Sequence, residues 1–215
     1  MYKKKSFFIT FEGIEGSGKS YQSKKLLNNI NKTNLLVHRT REPGGTHNAE
    51  RIRNIILNDY FGVKKNENFD KYTDTLLYLA ARNEHIKNKV RKLLSKKCIV
   101  ICDRFIDSTT AYQVYGKGVN KKLIDTVHKY ILGKIKPDLT FILKVNVSKA
   151  LDRLNKRKIK NRYDKFSKKF YIKVQKAFIN IAKINKKRCI LLDSSKDNDE
   201  VEKIIYKKFL SRYSR

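Results

Sequence analysis

A glycine-rich segment near the start of the chain sets the strongest limit on its fold. Gly13-Ile14-Glu15-Gly16-Ser17-Gly18-Lys19-Ser20 matches the pattern G-x-x-x-x-G-K-[ST]. The short apolar run Ser6–Phe11 before it predicts a buried strand, and a helix is predicted from Gly18 or Lys19 to about Asn31. Backbone N–H groups in such a loop can surround an anion, and the dipole of the next helix adds to the attraction. The segment is therefore predicted to bind the phosphates of ATP or another nucleoside triphosphate.

Three side chains are predicted to act on those phosphates and on a magnesium ion. Lys19 can reach the β- and γ-phosphates, and the hydroxyl of Ser20 can ligate Mg²⁺. Ile99–Asp103 is an apolar run that ends in a carboxylate, so Asp103 is placed where it can help to hold the same ion. Mg²⁺ is the predicted cofactor.

Two charged residues near the phosphates have alternative interpretations. Glu15 would repel phosphates unless a cation lies between them. It can hold Mg²⁺ through water, orient a water or a basic side chain, or point to solvent. Arg104 can clamp a phosphate with its two-pronged guanidinium, or it can form a structural ion pair with a nearby carboxylate.

Short apolar runs alternate with helical patterns along the rest of the chain. Further strands are predicted at Leu35–Thr40, Cys98–Cys102, Leu139–Val145 and Cys189–Leu192. Helices are predicted at Ala49–Asn58, Lys71 to about Leu94, Ser108–Tyr115, Lys121–Leu132, after a cap at Ser148, Lys169–Lys186 and from about Asp199. This alternation predicts an α/β fold, a parallel sheet covered by helices on both faces, in a single domain of residues 1–215.

The chain is strongly basic, with 51 lysines and arginines, 20 acidic residues and a formal net charge of +31. The basic residues are spread in pairs and triplets, so we expect a solvated surface that attracts anionic substrates and no specific nucleic-acid partner. No apolar run approaches the roughly 20 residues needed to cross a bilayer, so no membrane partner is expected. Three cysteines without a CxxC pattern and a start without a cleavage signature predict a cytoplasmic protein.

Together with the phosphate loop, further segments resemble the thymidylate kinase family of the bacterial type. They are Arg41-Glu42-Pro43-Gly44-Gly45-Thr46, Tyr78-Leu79-Ala80-Ala81-Arg82, Asp103-Arg104 followed by Ser108-Thr109-Thr110-Ala111-Tyr112-Gln113, and Pro137-Asp138-Leu139-Thr140. The resemblance extends from Phe7 to about Asp193, and the first of these segments is its most specific element.

The resemblance implies a fold, a reaction and an assembly. The implied fold is a P-loop kinase with three α/β/α layers, a five-stranded parallel sheet and a mobile helical lid at about residues 153–168. The implied reaction is phosphoryl transfer from Mg-ATP to dTMP, giving dTDP and ADP in the biosynthesis of dTTP. The implied assembly is a homodimer.

The resemblance also implies a role for each residue of the acceptor site. Tyr78 would stack on thymine, Arg82 would hydrogen-bond its O4, Thr109 would face N3, and Tyr112 would lie against the deoxyribose. Arg104 would hold the dTMP phosphate. The monophosphate site would also be lined by Glu42, Arg53 and Ser108.

Several of these roles have a structural alternative. Tyr78 stands where the family commonly has phenylalanine, so its hydroxyl needs a partner, and ordinary core packing is the alternative to stacking. For Thr109 and Tyr112 the alternatives are a helix cap and a packed aromatic ring.

The lid is the implied source of catalytic arginines. Arg153, Arg157 and Arg162 lie in the basic segment, and Arg157 and Arg162 are the preferred candidates for clamping phosphates on closure. The alternative is that each belongs to the general basic surface. The candidate catalytic residues are thus Glu15, Lys19, Arg104, Arg157 and Arg162.

Two other functions compete with a thymidylate kinase. One is a kinase with the same fold that acts on a different nucleoside monophosphate. The residues that would distinguish the two acceptors are Tyr78, Arg82 and Thr109. The other is a basic ATPase that binds RNA or DNA, which predicts hydrolysis stimulated by nucleic acid and a steep dependence on salt.

Overall fold

A five-stranded parallel sheet forms the centre of the molecule. The computed structural model describes residues 5–58, 69–156, 162–195 and 198–214. The strands are β1 (Phe7–Glu12), β2 (Val37–Arg41), β3 (Ile99–Asp103), β4 (Leu139–Lys144) and β5 (Cys189–Asp193). Their order across the sheet is β2-β3-β1-β4-β5, and every neighbouring pair is parallel. The predicted parallel α/β fold is confirmed, and β1, which leads into the phosphate loop, is the middle strand.

Helices connect the strands. They are α1 (Lys19–Asn31), α2 (His47–Asn58), α3 (Lys71–His85), α4 (Arg91–Ser95), α5 (Ile106–Thr109), α6 (Lys121–Leu132), α7 (Val147–Asn155), α8 (Lys168–Ile184) and α9 (Asn198–Tyr213). A 3-10 turn at Arg162–Lys165 precedes α8. Within the described residues, no helix is both long enough and apolar enough to cross a membrane.

Both faces of the sheet are covered, as the unbroken apolar strands require. On one face Phe7, Ile9 and Phe11 of β1 pack against α1 and α9. On the other face Phe8 packs with the helical segments that follow α3 and β3. Because successive side chains of a strand point to opposite faces, β1 contributes to both cores and is fully buried.

Two segments predicted as continuous α-helix contain π-helical turns. Ile86–Val90 joins α3 to α4, and Thr110–Gly116 follows α5. Periodicity alone does not distinguish an α-turn from a π-turn, because the extra residue is set by tertiary packing.

The predicted cap at Ser148 is wrong. The cap of α7 is Asn146, whose side chain accepts hydrogen bonds from the backbone N–H groups of Ser148 and Lys149. Asparagine is at least as good a cap as serine, and here it lies directly before the first helical residue.

Candidate active site

A cavity of about 650 Å³ opens at the carboxyl ends of the strands. Its walls include the phosphate loop at one side and, at the other, the side chains Arg82, Thr109 and Tyr78. This edge of a parallel sheet is where open α/β folds bind their ligands. Most of the predicted site residues that the structure describes therefore meet in one place.

The glycines of the phosphate loop are required by close packing. A Cβ atom at Gly13 would lie 2.5 Å from the carbonyl oxygen of Leu143, and one at Gly16 would lie 2.6 Å from that of Ala150. Both residues also have positive φ angles, 139° and 72°. The loop can adopt this conformation only if positions 13 and 16 carry no side chain.

Lys19 lies folded against its own loop. Its Nζ donates hydrogen bonds to the carbonyl oxygen of Ile14 at 2.6 Å and to Oγ of Ser17 at 3.3 Å. Burial, together with the positive charge of Arg104, lowers the pKa of the Lys19 ammonium to about 7. An anion placed in the loop would supply the negative charge that this buried cation lacks.

Ser20 and Asp103 are in contact beside the phosphate loop. Ser20 Oγ donates a hydrogen bond to the carboxylate of Asp103, across 83 residues of sequence. Both offer oxygen atoms, the ligands that Mg²⁺ prefers, and both line the cavity beside the phosphate loop. The described residues contain no group of three or more His, Cys, Asp or Glu that could hold a metal by itself. This donor set fits Mg²⁺, which is usually bound by one or two protein oxygens and by substrate phosphates.

Glu15 and Arg104 form an ion pair. Nη2 of Arg104 donates to Oε1 of Glu15 at 2.7 Å, and the hydroxyl of Tyr112 donates to the other oxygen of the same carboxylate. Nη1 of Arg104 also donates to Oγ of Ser108 at 3.0 Å. Glu15 therefore orients a basic side chain, one of the roles considered for it, and does not point to solvent. For Arg104 the structural ion pair is present at the position where a phosphate clamp is predicted.

The backbone at Arg104 is unusual, with a φ angle of 71°. A buried carboxylate, Glu12 at the end of β1, holds the chain immediately after it: Oε1 accepts from the backbone N–H of Phe105 at 2.8 Å, and Oε2 accepts from Ser108 Oγ at 2.5 Å. Burial and the nearby Asp107 raise the pKa of Glu12 to about 7. Glu12 thus fixes the turn that aims Arg104 into the cavity.

Arg82 is the centre of a buried polar cluster. Its Nε donates to Glu42 at 2.7 Å, and its Nη1 donates to Oγ1 of Thr109 at 2.8 Å. His85 donates from Nδ1 to the same Glu42 carboxylate at 2.9 Å. Burial opposes ionisation of Glu42, but Arg82 and His85 outweigh it and lower the pKa of this carboxyl. Arg82 and Thr109, predicted to read the base, are in direct contact.

Tyr78 lies on α3 in the cavity wall, and its hydroxyl contacts the hydroxyl of Tyr163. The partner that the extra hydroxyl needs is thus provided by the 3-10 turn before α8. Tyr163 also packs edge-to-face on Tyr112, with ring centroids 5.7 Å apart. Burial and the contact with Tyr163 raise the pKa of Tyr78 well above its usual value.

Arg53 also lines the cavity. Its Nη1 donates to the carbonyl oxygen of Pro43 at 2.7 Å, which holds the guanidinium over the Arg-Glu-Pro-Gly-Gly-Thr segment. Burial and the neighbouring Arg41 lower the pKa of Arg53. An anion is the natural partner of such a half-buried cation.

The three lid arginines differ in position. Arg153 lines the cavity, and its Nη1 donates to the carbonyl oxygen of Gly16 at 2.9 Å. Arg162 is buried and paired with Asp74 of α3, which also binds Lys117 at 2.6 Å. Arg157 lies outside the described residues. Of the two preferred lid residues, Arg162 is thus held by a carboxylate in this conformation, and its phosphate-clamping role stays a prediction.

Sequence reasoning missed several residues of the site. These are Glu12, Arg39, Asp74, His85, His128 and Tyr163. Only Glu12 could have been suspected from the sequence. It directly follows the apolar run Ser6–Phe11, and a carboxylate buried at the end of such a strand needs hydrogen-bond partners. The others approach the site only through the tertiary fold.

These features define a class of protein. A phosphate loop after the central strand of a parallel sheet, a Ser–Asp oxygen pair beside it and a second pocket with a buried arginine are the parts of a P-loop kinase that acts on a nucleoside monophosphate. The chain belongs to the thymidylate kinase family: the family model described as Thymidylate kinase matches residues 11–205. Enzymes of this family are ATP-dependent nucleoside monophosphate kinases that convert dTMP to dTDP.

Individual relatives agree with this assignment. The chain is 42% identical over 207 residues to a thymidylate kinase of Wolbachia pipientis wMel, covering 93% of this chain and 98% of the relative. It is 46% identical over 200 residues to one from Wolbachia sp. subsp. Brugia malayi, covering 90% and 91%. The crystal structure of thymidylate kinase from Ehrlichia chaffeensis superposes with a TM-score of 0.74 at 38% identity, covering 96% of this chain and 99% of the other. The predicted P-loop kinase fold and the predicted family are both confirmed.

Proposed function

We propose that this one cavity carries out the transfer of the γ-phosphoryl group of ATP to dTMP, with residues 13–20 as the donor site and the Arg82 cluster as the acceptor site. The observation that supports this most is the position of Arg104. It lies between the two ends of the cavity, bound to Glu15 of the phosphate loop and to Ser108 of the acceptor side. A cation at that point can hold the phosphate of one substrate next to the phosphates of the other.

At the acceptor site, each polar group has a matching edge of thymine. The guanidinium of Arg82 donates to O4, and the hydroxyl of Thr109 accepts from N3–H. The ring of Tyr78 offers a π face at one helical turn from Arg82 on the same helix. Tyr112, held by Glu15, lies where it can pack against the deoxyribose. Glu42 and Arg53 support this site from the segment after β2.

The transfer needs positioning and positive charge, with little covalent chemistry from the protein. An oxygen of the dTMP phosphate forms a bond to the γ-phosphorus of ATP, and the bond from that phosphorus to the bridging oxygen of ADP breaks. The attacking oxygen is already an anion, so no residue acts as a strong base. Lys19 stabilises the oxygens of the moving group, Arg104 holds the acceptor phosphate, and lid arginines among Arg153, Arg157 and Arg162 add positive charge on closure.

We propose Mg²⁺ as the metal, held by Ser20 and, directly or through water, by Asp103. When bound, Mg²⁺ supplies positive charge to the phosphate oxygens of the nucleotide. The contact between the Ser20 hydroxyl and the Asp103 carboxylate supports this proposal, because it places two hard oxygen ligands together beside the phosphate loop.

We also propose that the chain forms a homodimer through α2 and α3. These two helices pack side by side, and each presents large apolar side chains to solvent: Ile55 is 50% exposed, Leu76 50% and Tyr72 39%. Sedimentation of the parent and of Leu76→Glu tests this proposal. A parent that sediments as a monomer at micromolar concentration would exclude the dimer.

The remaining predictions about partners and location are that the chain works in the cytoplasm and has no specific nucleic-acid partner. Three free, buried cysteines, Cys98, Cys102 and Cys189, support a reducing compartment. The competing nucleic-acid ATPase is tested by adding duplex DNA and RNA to an ATP hydrolysis assay. Stimulation that falls steeply with salt would support the competing function.

The decisive test of the acceptor is a coupled assay of ADP release with dTMP, dUMP, dCMP, AMP and GMP in turn. We expect activity with dTMP to be far above that with dCMP, AMP and GMP. In Arg82→Met, the KM for dTMP should rise at least tenfold while the KM for ATP stays the same, because only the acceptor site loses a donor. Equal turnover of dTMP and AMP by the parent would contradict the assigned base contacts.

A further inference from the structure

A histidine outside the segments that resemble the family contacts Arg82, the arginine proposed to read the base. His128, on α6, has its Nε2 atom 2.6 Å from Nη1 of Arg82. The same Nη1 donates to Thr109 at 2.8 Å, and Nε of Arg82 donates to Glu42 at 2.7 Å. Arg82 is therefore held from three sides, by a carboxylate, a hydroxyl and an imidazole.

The chemistry of this contact fixes the state of the imidazole. A guanidinium has only donors, so Nε2 of His128 must accept, and the ring must be neutral with its proton on Nδ1. Charged groups around the ring agree with that state. Burial and the charge of Arg82 lower the pKa of His128 to about 3, against the opposing effect of Glu42 and of Asp125, while Lys121 acts in the same direction as Arg82. His128 thus stays an acceptor throughout the neutral pH range.

The contact also fixes the direction in which Arg82 points. The guanidinium is planar and rigid, so holding Nε and Nη1 sets the plane of the whole group and the direction of its third nitrogen, Nη2. Glu42 supplies charge but contacts Nε alone, and Thr109 is itself a substrate-facing hydroxyl in the proposed site. His128 makes its contact from α6, and it can hold Nη1 whether or not Thr109 is engaged by a base.

We infer that His128 is a positioning residue for pyrimidine recognition: its neutral imidazole aims Arg82 at the 4-oxo group of the bound base. This inference rests on the proposed function, in which Arg82 donates to O4 of thymine. The chemical class it selects is a nucleotide with a carbonyl at the 4-position, which dTMP and dUMP share and dCMP, with a 4-amino group, lacks.

Three variants separate positioning from bulk packing. His128→Leu keeps much of the volume without an acceptor, and His128→Asn keeps an acceptor oxygen. The matched control is His38→Leu, which makes the same change at an exposed histidine on β2 that does not line the cavity. Steady-state kinetics with dTMP, dUMP and dCMP are measured for each variant and for the parent, with melting curves to confirm folding.

The expected result is a loss confined to the 4-oxo nucleotides. His128→Leu should raise the KM for dTMP and for dUMP about tenfold, the effect of one lost hydrogen bond to a charged group, while the KM for ATP and the activity with dCMP stay unchanged. In His128→Asn, the increase in log KM for dTMP should be at most half of the increase in His128→Leu. The KM values of His38→Leu should match those of the parent.

Any of three results would overturn the inference. The first is a KM for dTMP in His128→Leu that matches the parent, and the second is an equal loss in His128→Leu and His128→Asn. The third comes from ¹⁵N NMR of the parent protein without nucleotide: a protonated Nε2 on His128 at pH 7 excludes an acceptor role, even if the leucine variant does not fold. Failure of the parent to phosphorylate dTMP would instead refute the proposed function, and the NMR measurement would still decide the state of the histidine.

Discussion

The buried Glu12 should make the stability of this protein depend on pH in a way that one substitution removes. Its carboxylate is fully buried and accepts hydrogen bonds from Phe105 and Ser108. Burial and Asp107 raise its pKa from 4.5 to about 7. Glu12→Gln keeps the shape of the side chain but cannot ionise, so we expect the variant to lose the pH dependence that Glu12 causes.

The direction and size of the effect follow from linkage. A carboxyl whose pKa is raised on folding binds its proton more tightly in the folded state. Its favourable contribution to the free energy of unfolding is therefore complete below pH 4.5 and is lost as pH rises through 7. The full difference corresponds to about 3 kcal/mol, at roughly 1.4 kcal/mol for each tenfold change in proton affinity. Most of it, about 2.5 kcal/mol, falls between pH 5 and pH 8.

The assay compares melting temperatures of the parent and Glu12→Gln at pH 5 and at pH 8, followed by circular dichroism. For a chain of this size, about 2.5 kcal/mol corresponds to roughly 5–10 °C. The difference in Tm between Glu12→Gln and the parent should therefore shift in favour of the variant by roughly 5–10 °C from pH 5 to pH 8. This shift does not depend on how the two proteins compare at pH 5. The same substitution at Glu84, on the surface of α3, controls for loss of one glutamate. A difference in Tm between parent and Glu12→Gln that is the same at both pH values would refute the reasoning.

Three further substitutions test other parts of the site. Gly16→Ala should weaken ATP binding at least tenfold by calorimetry, because its Cβ would lie 2.6 Å from the carbonyl oxygen of Ala150 at a φ of 72°, and unchanged affinity would contradict this. Asp74→Asn should lower stability by about 3 kcal/mol, because it removes the charge of a buried carboxylate that pairs with Arg162 and Lys117, and a Tm within 2 °C of the parent would contradict this. Tyr78→Phe should change the KM for dTMP less than threefold, because the ring remains, and should cost about 1 kcal/mol of stability for the lost hydroxyl contact. A tenfold rise in KM would show that the hydroxyl itself takes part in binding.

The strands and the phosphate loop could be predicted because their signals are local. Each predicted strand overlaps the observed one, with ends that differ by at most two residues, since short apolar runs between turns have few other solutions in a parallel sheet. The loop pattern fixes its own geometry, because only glycine fits at Gly13 and Gly16. The order of the strands is not local, and it was not predicted from the sequence; the resemblance implied only that five strands form a parallel sheet.

The contacts that orient the site could not be predicted, because they join residues far apart in the chain. Arg162 is separated from Asp74 by 88 residues, and Tyr163 from Tyr78 by 85. The residues that flank each of these positions do not indicate its partner. An arginine in the basic lid segment looks the same in the sequence whether it binds a phosphate or a carboxylate. The π-helical turn at Thr110–Gly116 has a similar origin, since packing against α8 sets it.

The carboxylate in the phosphate loop now has a physical explanation. Glu15 would repel ATP if its charge were free, but Arg104 and the hydroxyl of Tyr112 neutralise and hold it. The same ion pair is compatible with a role for Arg104 in binding the acceptor phosphate. In the proposed function, an acceptor phosphate entering beside Glu15 would meet a cation that is already aimed through the Glu12 turn and largely buried. Because Arg104 would then need no reorganisation when the phosphate arrives, the ion pair would favour transfer, whereas a free arginine at this position would have to be ordered first.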